Sequence, residues 1–277
     1  MIIEKSKDAG AFADFELAGW DHNIAGYDDA FGRVSRQTVD ATLDAAGIRS
    51  GMKLLDVCTG PGMLVEAALR QGAEAVGLDF SEAVLKHARK RVPNGEFRRG
   101  DAQDLPFADS SFDAVVCGYG VMHLPEPEAA LHEMHRVLRP GGRLAVSVWD
   151  KSTPDNGFGI IYAAVGAHGS FDVPLPHGPD FFQFGTKEQM TAALKEVGFA
   201  DVAACLVEQQ WQVDSAAEML SAMQRGTVRA RALLAAQSPT AIKAMLQFLE
   251  EKLSCRANAE GGYDIPLPAI VGSGVKL

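Results

Sequence analysis

Cysteine is scarce in this chain, and basic side chains are outnumbered by acidic ones. Its 277 residues include 4 cysteines, Cys58, Cys117, Cys205 and Cys255, with neither the close spacing of a zinc site nor that of a disulfide framework. The expectation is reduced thiols in a cytoplasmic protein and no metal site. Lys and Arg number 26 against 36 Asp and Glu, giving a net charge of −10 and a pI near 5.2. Binding to nucleic acid rests on a basic footprint for phosphate, so that partner is argued against, and an anionic membrane surface with it. No apolar run is long enough to span a bilayer. The opening segment, Met1 to Asp8, lacks the apolar stretch of a secretory signal, and no internal repeat or low-complexity tract is present. What the chain does have is apolar content: 47% hydrophobic residues over this length support one large core and a single elaborated domain over residues 1–277.

Residues 54–62, Leu-Leu-Asp-Val-Cys-Thr-Gly-Pro-Gly, place a carboxylate at the end of an apolar run and directly before a glycine-punctuated turn. The run from Met52 to Val57 predicts a buried strand. Gly60 and Gly62 give the turn its backbone freedom, and Leu64 to Leu69 begins an apolar helix face. Such a turn lets a ligand approach the main chain. Asp56 selects among ligands, because a dinucleotide site offers bare amides and a helix N-terminus to a pyrophosphate, which a carboxylate would repel. A cationic ligand is favoured, and S-adenosyl-L-methionine carries both an ammonium and a sulfonium. At this point the chain resembles the class I S-adenosylmethionine-dependent methyltransferases, whose first motif is an acid followed by alternating small residues. Cys58 stands where that pattern has its first glycine, with Thr59 and Gly60 completing the turn.

A second apolar strand, from Ala73 through Val76, Gly77 and Leu78, ends in Asp79 and Phe80, where an acid is spaced to accept from both ribose hydroxyls. Ser81 offers an N-cap to a helix whose stripe is Val84, Leu85, Ala88 and Val92. Further on come Gly100-Asp101-Ala102-Gln103-Asp104-Leu105-Pro106-Phe107 and the strand Ser111 to Gly118, followed by Tyr119. The resemblance implies that Asp101 accepts from the adenine amino group, that the Ala102 amide meets a ring nitrogen, and that the Gly118 and Tyr119 backbone borders the methionine portion. Read from composition alone, Asp101 and Asp104 are solvated loop carboxylates. A helix carrying Leu131, Met134, Val137 and Leu138 is predicted to end at Arg139-Pro140-Gly141-Gly142, ahead of a fifth strand from Arg143 to Trp149. Arg136 to Gly142 is similar to the segment before the fifth strand in the quinone-biosynthesis-like small-molecule methyltransferases.

Strands alternating with helices predict an α/β fold: a Rossmann-like, doubly wound sheet with ligands at the strand C-termini. The resemblance extends this to seven strands, mostly parallel, closed by a C-terminal antiparallel hairpin. Thr186 and Gln189 mark a helix start and Gly198 its stop; Asp201 to Val213 reads as one strand, and Tyr263 to Leu277 as a returning edge strand. The expected organisation is an N-terminal cap over 1–50, a cofactor-binding core over 51–150, and insertions at 151–183 and 214–258 forming a substrate cover. Ser215 and Ser238 are placed to cap helices in the second insertion. Trp20 to Tyr27 is similar to the family's lead segment, which folds over the cofactor, making Tyr27 a candidate lid contact; the alternative is packing at the sheet edge.

Of 7 histidines, His123 alone follows a strand at the ligand-bearing edge. It is the candidate general base or acceptor-orienting group, against the alternative of bonding the turn that starts the next helix. The expected activity is metal-independent methyl transfer to an oxygen, carbon or nitrogen of a small, partly apolar acceptor. The alternatives are a nicotinamide-dependent oxidoreductase and a non-catalytic S-adenosylmethionine-binding protein.

Overall fold

The computed structural model describes residues 7–277, so most of the Met1 to Asp8 segment lies outside the described residues. The chain enters through α1 (Lys7–Ala30), α2 (Gly32–Ser35) and α3 (Val39–Ala45). It then alternates through β1 (Lys53–Val57), α4 (Met63–Arg70), β2 (Glu74–Asp79), α5 (Glu82–Arg91), β3 (Glu96–Arg99), β4 (Phe112–Gly118), α6 (Pro127–Val137) and β5 (Leu138–Trp149). After α7 (Gly157–His168) and α8 (Lys187–Val197) come β6 (Ala200–Val207), β7 (Gln210–Val213), α9 (Ala216–Gly226) and α10 (Arg229–Ala235). The chain closes with α11 (Pro239–Leu253), β8 (Tyr263–Pro266) and β9 (Ala269–Val275).

Seven strands form one sheet in the order β3-β2-β1-β4-β5-β9-β6, parallel except for β9, which runs antiparallel to both neighbours. This is the expected doubly wound, Rossmann-like architecture. Its order reverses between β1 and β4, and the carboxyl ends of those strands open a crevice at the reversal. The central strands are apolar at nearly every position because both faces are covered. Leu55, Val57 and Val115 pack on one side, while Leu54, Ala114 and Val116 pack on the other with Leu43, Val65 and Leu85. The expected caps form: the hydroxyls of Ser81, Thr186, Ser215 and Ser238 each accept from a backbone N–H in the first turn of their helix. Gly198, at φ 105°, ends α8 in the left-handed region.

Three boundaries differ from expectation. Leu138 leaves the sixth helix and begins β5, with a register shift opposite Phe112 and Ala114 that takes up Pro140 to Gly142. The stretch from Asp201 to Val213 is two strands in different sheets: β6 pairs with β9, whereas β7 pairs with β8 in a separate two-stranded ribbon. The break falls at Gln209, opposite Pro266, Leu267 and Pro268, whose prolines lack the N–H to carry the ladder through. The last strand is also interior. It lies between β5 and β6, and its proline-free run of small and apolar residues fits that position.

Helix α1 lies across the sheet edge, against α5 and α9. Two of its glycines permit the approach: a β-carbon at Gly26 would sit 2.4 Å from the Arg225 carbonyl oxygen, and one at Gly19 would sit 2.4 Å from Val228. Gly10, on the same helix, has open space around it. Gly26→Ala is therefore expected to destabilise the fold by about 1–3 kcal/mol through overpacking. Gly10→Ala should gain up to about 1 kcal/mol from helix propensity. Urea melts of the two variants read the difference, and equal shifts would show that helix approach is not the constraint.

Candidate active site

A cleft of about 910 Å³, counted out to its mouth, opens at the carboxyl ends of β1, β2, β4 and β5 and is roofed by α1 to α3. Its wall includes Tyr27, Asp56, Cys58, Thr59, Gly60, Asp79, Phe80, Gly118, Tyr119 and His123. Asp101 and Ala102 are the two expected site residues outside that wall. Asp101 Oδ1 accepts from the backbone N–H and the side-chain amide of Gln103 at 2.9 and 3.0 Å, and Ala102 is buried in the core beside Leu105.

Two buried carboxylates make the floor. Asp56 Oδ2 accepts from the Thr59 hydroxyl at 2.6 Å, while Oδ1 is buried with no partner. Burial pushes Asp56 up to about 7, against the Thr59 bond and with the charge of Asp79 adding to the rise. Asp79 Oδ1 accepts from Ser81 N–H and Oδ2 from Gly60 N–H, each at 3.1 Å. Burial pushes this acid up to about 6, opposed by backbone N–H bonds from Ser81, Gly60 and Phe80 and assisted by Asp21. Neither carboxylate meets a cationic side chain among the described residues. The arrangement is suited to a ligand that brings positive charge and hydrogen-bond donors. Among the described residues, no group of three or more His, Cys, Asp or Glu is arranged to hold a metal.

The turn after β1 and the turn after β4 are both wound tightly by non-glycine residues: Cys58 has φ 57° and Tyr119 φ 56°. Each conformation costs about 1–2 kcal/mol for an L-residue, which is why a glycine suits the Cys58 position. Cys58 and Cys117, distant in sequence, are brought side by side by the pairing of β1 with β4. Their hydrogen bond raises the Cys58 thiol well above the ordinary range, with burial adding to it. Both side chains crowd Gly120, where a β-carbon would fall 2.4 Å from Cys58 Cβ and 2.7 Å from Cys117 Sγ. All four thiols are free. The Tyr119 ring stacks on Trp149 at 4.1 Å, and its hydroxyl donates to Gln209 at 2.9 Å and meets Thr38 at 3.1 Å.

His123 sits in a 3-10 turn but does not bond it through its ring. Nδ1 lies 3.0 Å from Oε2 of Glu16, a fully buried acid on α1. The other oxygen of Glu16 accepts from Arg229 Nε at 3.1 Å. Sequence reasoning missed Glu16 and Arg229, which are ordinary charged residues and carry no motif. Trp20 stands edge-on to both Tyr27 and His123, at 5.4 and 5.0 Å between ring centroids. Trp149 also enters the cleft wall. The Trp/Tyr lead segment was the signal for Trp20.

Residues 55–146 match the methyltransferase domain family. Demethylmenaquinone methyltransferase of Renibacterium salmoninarum is 44% identical over 111 residues, which cover 40% of this chain and 47% of that protein. The chain spans about half the length of the curated relatives it matches. Among solved structures, a Haemonchus contortus phosphoethanolamine N-methyltransferase in complex with phosphomonomethylethanolamine and S-adenosylhomocysteine superposes with a TM-score of 0.58 at 22% identity, covering 96% of this chain and 60% of that one. The cyclase SpnF superposes with a TM-score of 0.51 at 21% identity, covering 87% and 82%. These likenesses establish the fold.

The floor makes stability depend on pH. Both acids are raised above their unfolded value near 3.8, so the stability they contribute is fully present below that value and is lost as pH rises through about 6 and about 7. Asp56→Asn removes one share of the loss. Its melting temperature should exceed that of the unchanged protein by more at about pH 8 than at about pH 5, ligand absent. An equal displacement at both values would show that Asp56 does not titrate as a buried, unpaired acid.

Proposed function

We propose that this chain, whose residues 55–146 form a methyltransferase domain, binds S-adenosyl-L-methionine in the strand-end cleft and transfers its methyl group to an oxygen, carbon or nitrogen of a small, partly apolar molecule. The observation that carries this reading is the buried Oδ1 of Asp56, a carboxylate oxygen without a donor in a cleft whose second acid is Asp79. A pyrophosphate would meet two carboxylates there, which disfavours a nicotinamide dinucleotide; an ammonium supplies the missing donor. Asp56 takes the ammonium end, Asp79 the ribose, and the Cys58-Thr59-Gly60 turn with Phe80 lines the path between them. The Gly118 and Tyr119 backbone borders the methionine portion, Asp101 and Ala102 follow β3 toward the adenine end, and Tyr27 contributes to the roof.

When bound, the cofactor supplies a methyl group on positively charged sulfur. The protein contributes alignment of the acceptor and exclusion of water, which are sufficient for much of the rate of an in-line displacement. His123 receives or orients the acceptor proton where the nucleophile arrives protonated. Residues 151–183 and 214–258, with the N-terminal segment, cover the strand ends and enclose the acceptor. The curated relatives' name, demethylmenaquinone methyltransferase, supports an apolar small-molecule acceptor. A second reading keeps the cofactor in the same cleft without methyl transfer, because a fold of this kind does not by itself fix the chemistry.

Isothermal titration with S-adenosylhomocysteine and NAD separates these readings. S-adenosylhomocysteine should bind and NAD should not, and Asp79→Ala should weaken the former by about 1–3 kcal/mol. Unchanged affinity in that variant removes Asp79 from the site, and tight NAD binding overturns the cofactor assignment. Hydrogen exchange should show protection gained in 1–50, 151–183 and 214–258 when S-adenosylhomocysteine binds; equal exchange with and without it counts against a cover.

A further inference from the structure

Beside the cleft lies a second chamber, of about 410 Å³ counted out to its mouth, that shares Trp20, Tyr27, His123 and Trp149 with it and continues between Phe158, Tyr162 and Phe181. Eight of its thirteen lining residues carry rings, and the segment from Gly226 to Ala230 completes the wall. Phe158 meets Phe181 at 5.8 Å, and Phe181 stands edge-on to His123 at 5.5 Å. The one guanidinium in the wall, Arg229, is already paired with a carboxylate: Nε donates to Glu16, and the two terminal nitrogens each donate once, to the Pro179 and Met122 carbonyls. Its guanidinium also lies 4.3 Å over the Phe12 ring. Among the described residues lining this chamber, no charge is left for a ligand. A carboxylate, phosphate or ammonium entering it would lose its water without a counter-ion.

Resting on the cofactor assignment above, we propose that this chamber is the acceptor site, that it takes a flat, uncharged aromatic compound bearing a ring hydroxyl, and that Glu16 is the positioning residue that prepares His123 to receive the hydroxyl proton. Flat rings fill an aromatic-walled slot with stacked and edge-on contacts. Glu16 faces Arg229 and, as a carboxylate, only accepts; the proton of neutral His123 is therefore assigned to Nδ1, which leaves Nε2 with its lone pair. In the step, the hydroxyl proton passes to His123 Nε2, an oxygen lone pair forms the new O–CH3 bond, and the electron pair of the broken S–CH3 bond stays on sulfur. The positive charge that began on the sulfonium ends on the imidazolium, against Glu16. The substrate and the partner residue are thus linked by one requirement: an uncharged hydroxyl needs a base, and the chamber wall contains one in the correct tautomer.

The test uses the full chain saturated with S-adenosylhomocysteine, with 2-naphthol as probe and naphthalene-2-carboxylate and 2-naphthylmethylamine as charged analogues of the same shape. 2-Naphthol should bind about tenfold or more tightly than either analogue. Ala230→Phe, which fills the chamber, should abolish that binding and leave S-adenosylhomocysteine affinity unchanged. Nitrogen-15 NMR of His123 should show the Nδ1–H tautomer in the unchanged protein and a shift toward the other tautomer in Glu16→Gln. Equal binding of a charged analogue, 2-naphthol binding that survives Ala230→Phe in folded protein, or an Nε2–H tautomer in the unchanged protein would overturn the proposal. Failure of S-adenosylhomocysteine itself to bind would instead overturn the cofactor assignment, so the two failures are distinguishable.

Discussion

Two carboxylates removed from water, with no cationic side chain among the described residues to meet them, are the constraint around which this structure is arranged. Burial raises Asp56 to about 7 and Asp79 to about 6. A fold carries such a cost only if the surroundings hold the acids in place, and the surroundings do so with short local bonds: Thr59 to one, the N–H groups of Gly60 and Ser81 to the other. Those bonds in turn require the tight turn after β1 and the N-cap after β2. The local geometry of two strand ends is thus set by the need to present acids to one crevice. The sheet supplies the rigidity, since both strands are buried on both faces.

The N-terminal helices finish the site, and they do so mainly through rings and one ion pair. Helix α1 brings Trp20 and Tyr27 over the cleft and carries Glu16 inward to His123 and Arg229. Its close approach depends on small residues at the contacts with α9 and the start of α10. Farther along, the Tyr119 hydroxyl ties the end of β4 to Thr38 on the N-terminal side and to Gln209 at the break between β6 and β7. The end of β4, the roof and the late strands therefore share one buried polar network.

Strands β1, β2, β4 and β5, the acids that end the first two, and the caps of four helices were legible because local rules decide them: apolar runs, glycine turns and hydroxyls at helix starts. The parts that were not legible are decided by partners far away in sequence. Asp201 to Val213 carries a continuous strand pattern, and only the prolines opposite it reveal that the ladder divides. Tyr263 to Leu277 contains prolines that suggested an edge, yet they precede β9 and leave its ladder intact. Glu16 is indistinguishable in sequence from any acid on a helix; its meaning arises when α1 crosses the sheet beside Arg229, more than two hundred positions later. Asp101 and Ala102 were named by resemblance, and the cleft wall does not include them.

The turn at Cys58 lacks the glycine that its backbone angle invites, and the strands compensate at a neighbouring position. Gly120 leaves open the volume that the two thiols occupy, so that positions 58, 117 and 120 divide a single fixed space among themselves. In evolutionary terms they form one unit of variation. A side chain gained at 120 requires the loss of the β-carbon at 58 and displacement of the thiol at 117, and a glycine restored at 58 relaxes the demand for glycine at 120. The motif's missing glycine has, in effect, moved to the adjacent strand end.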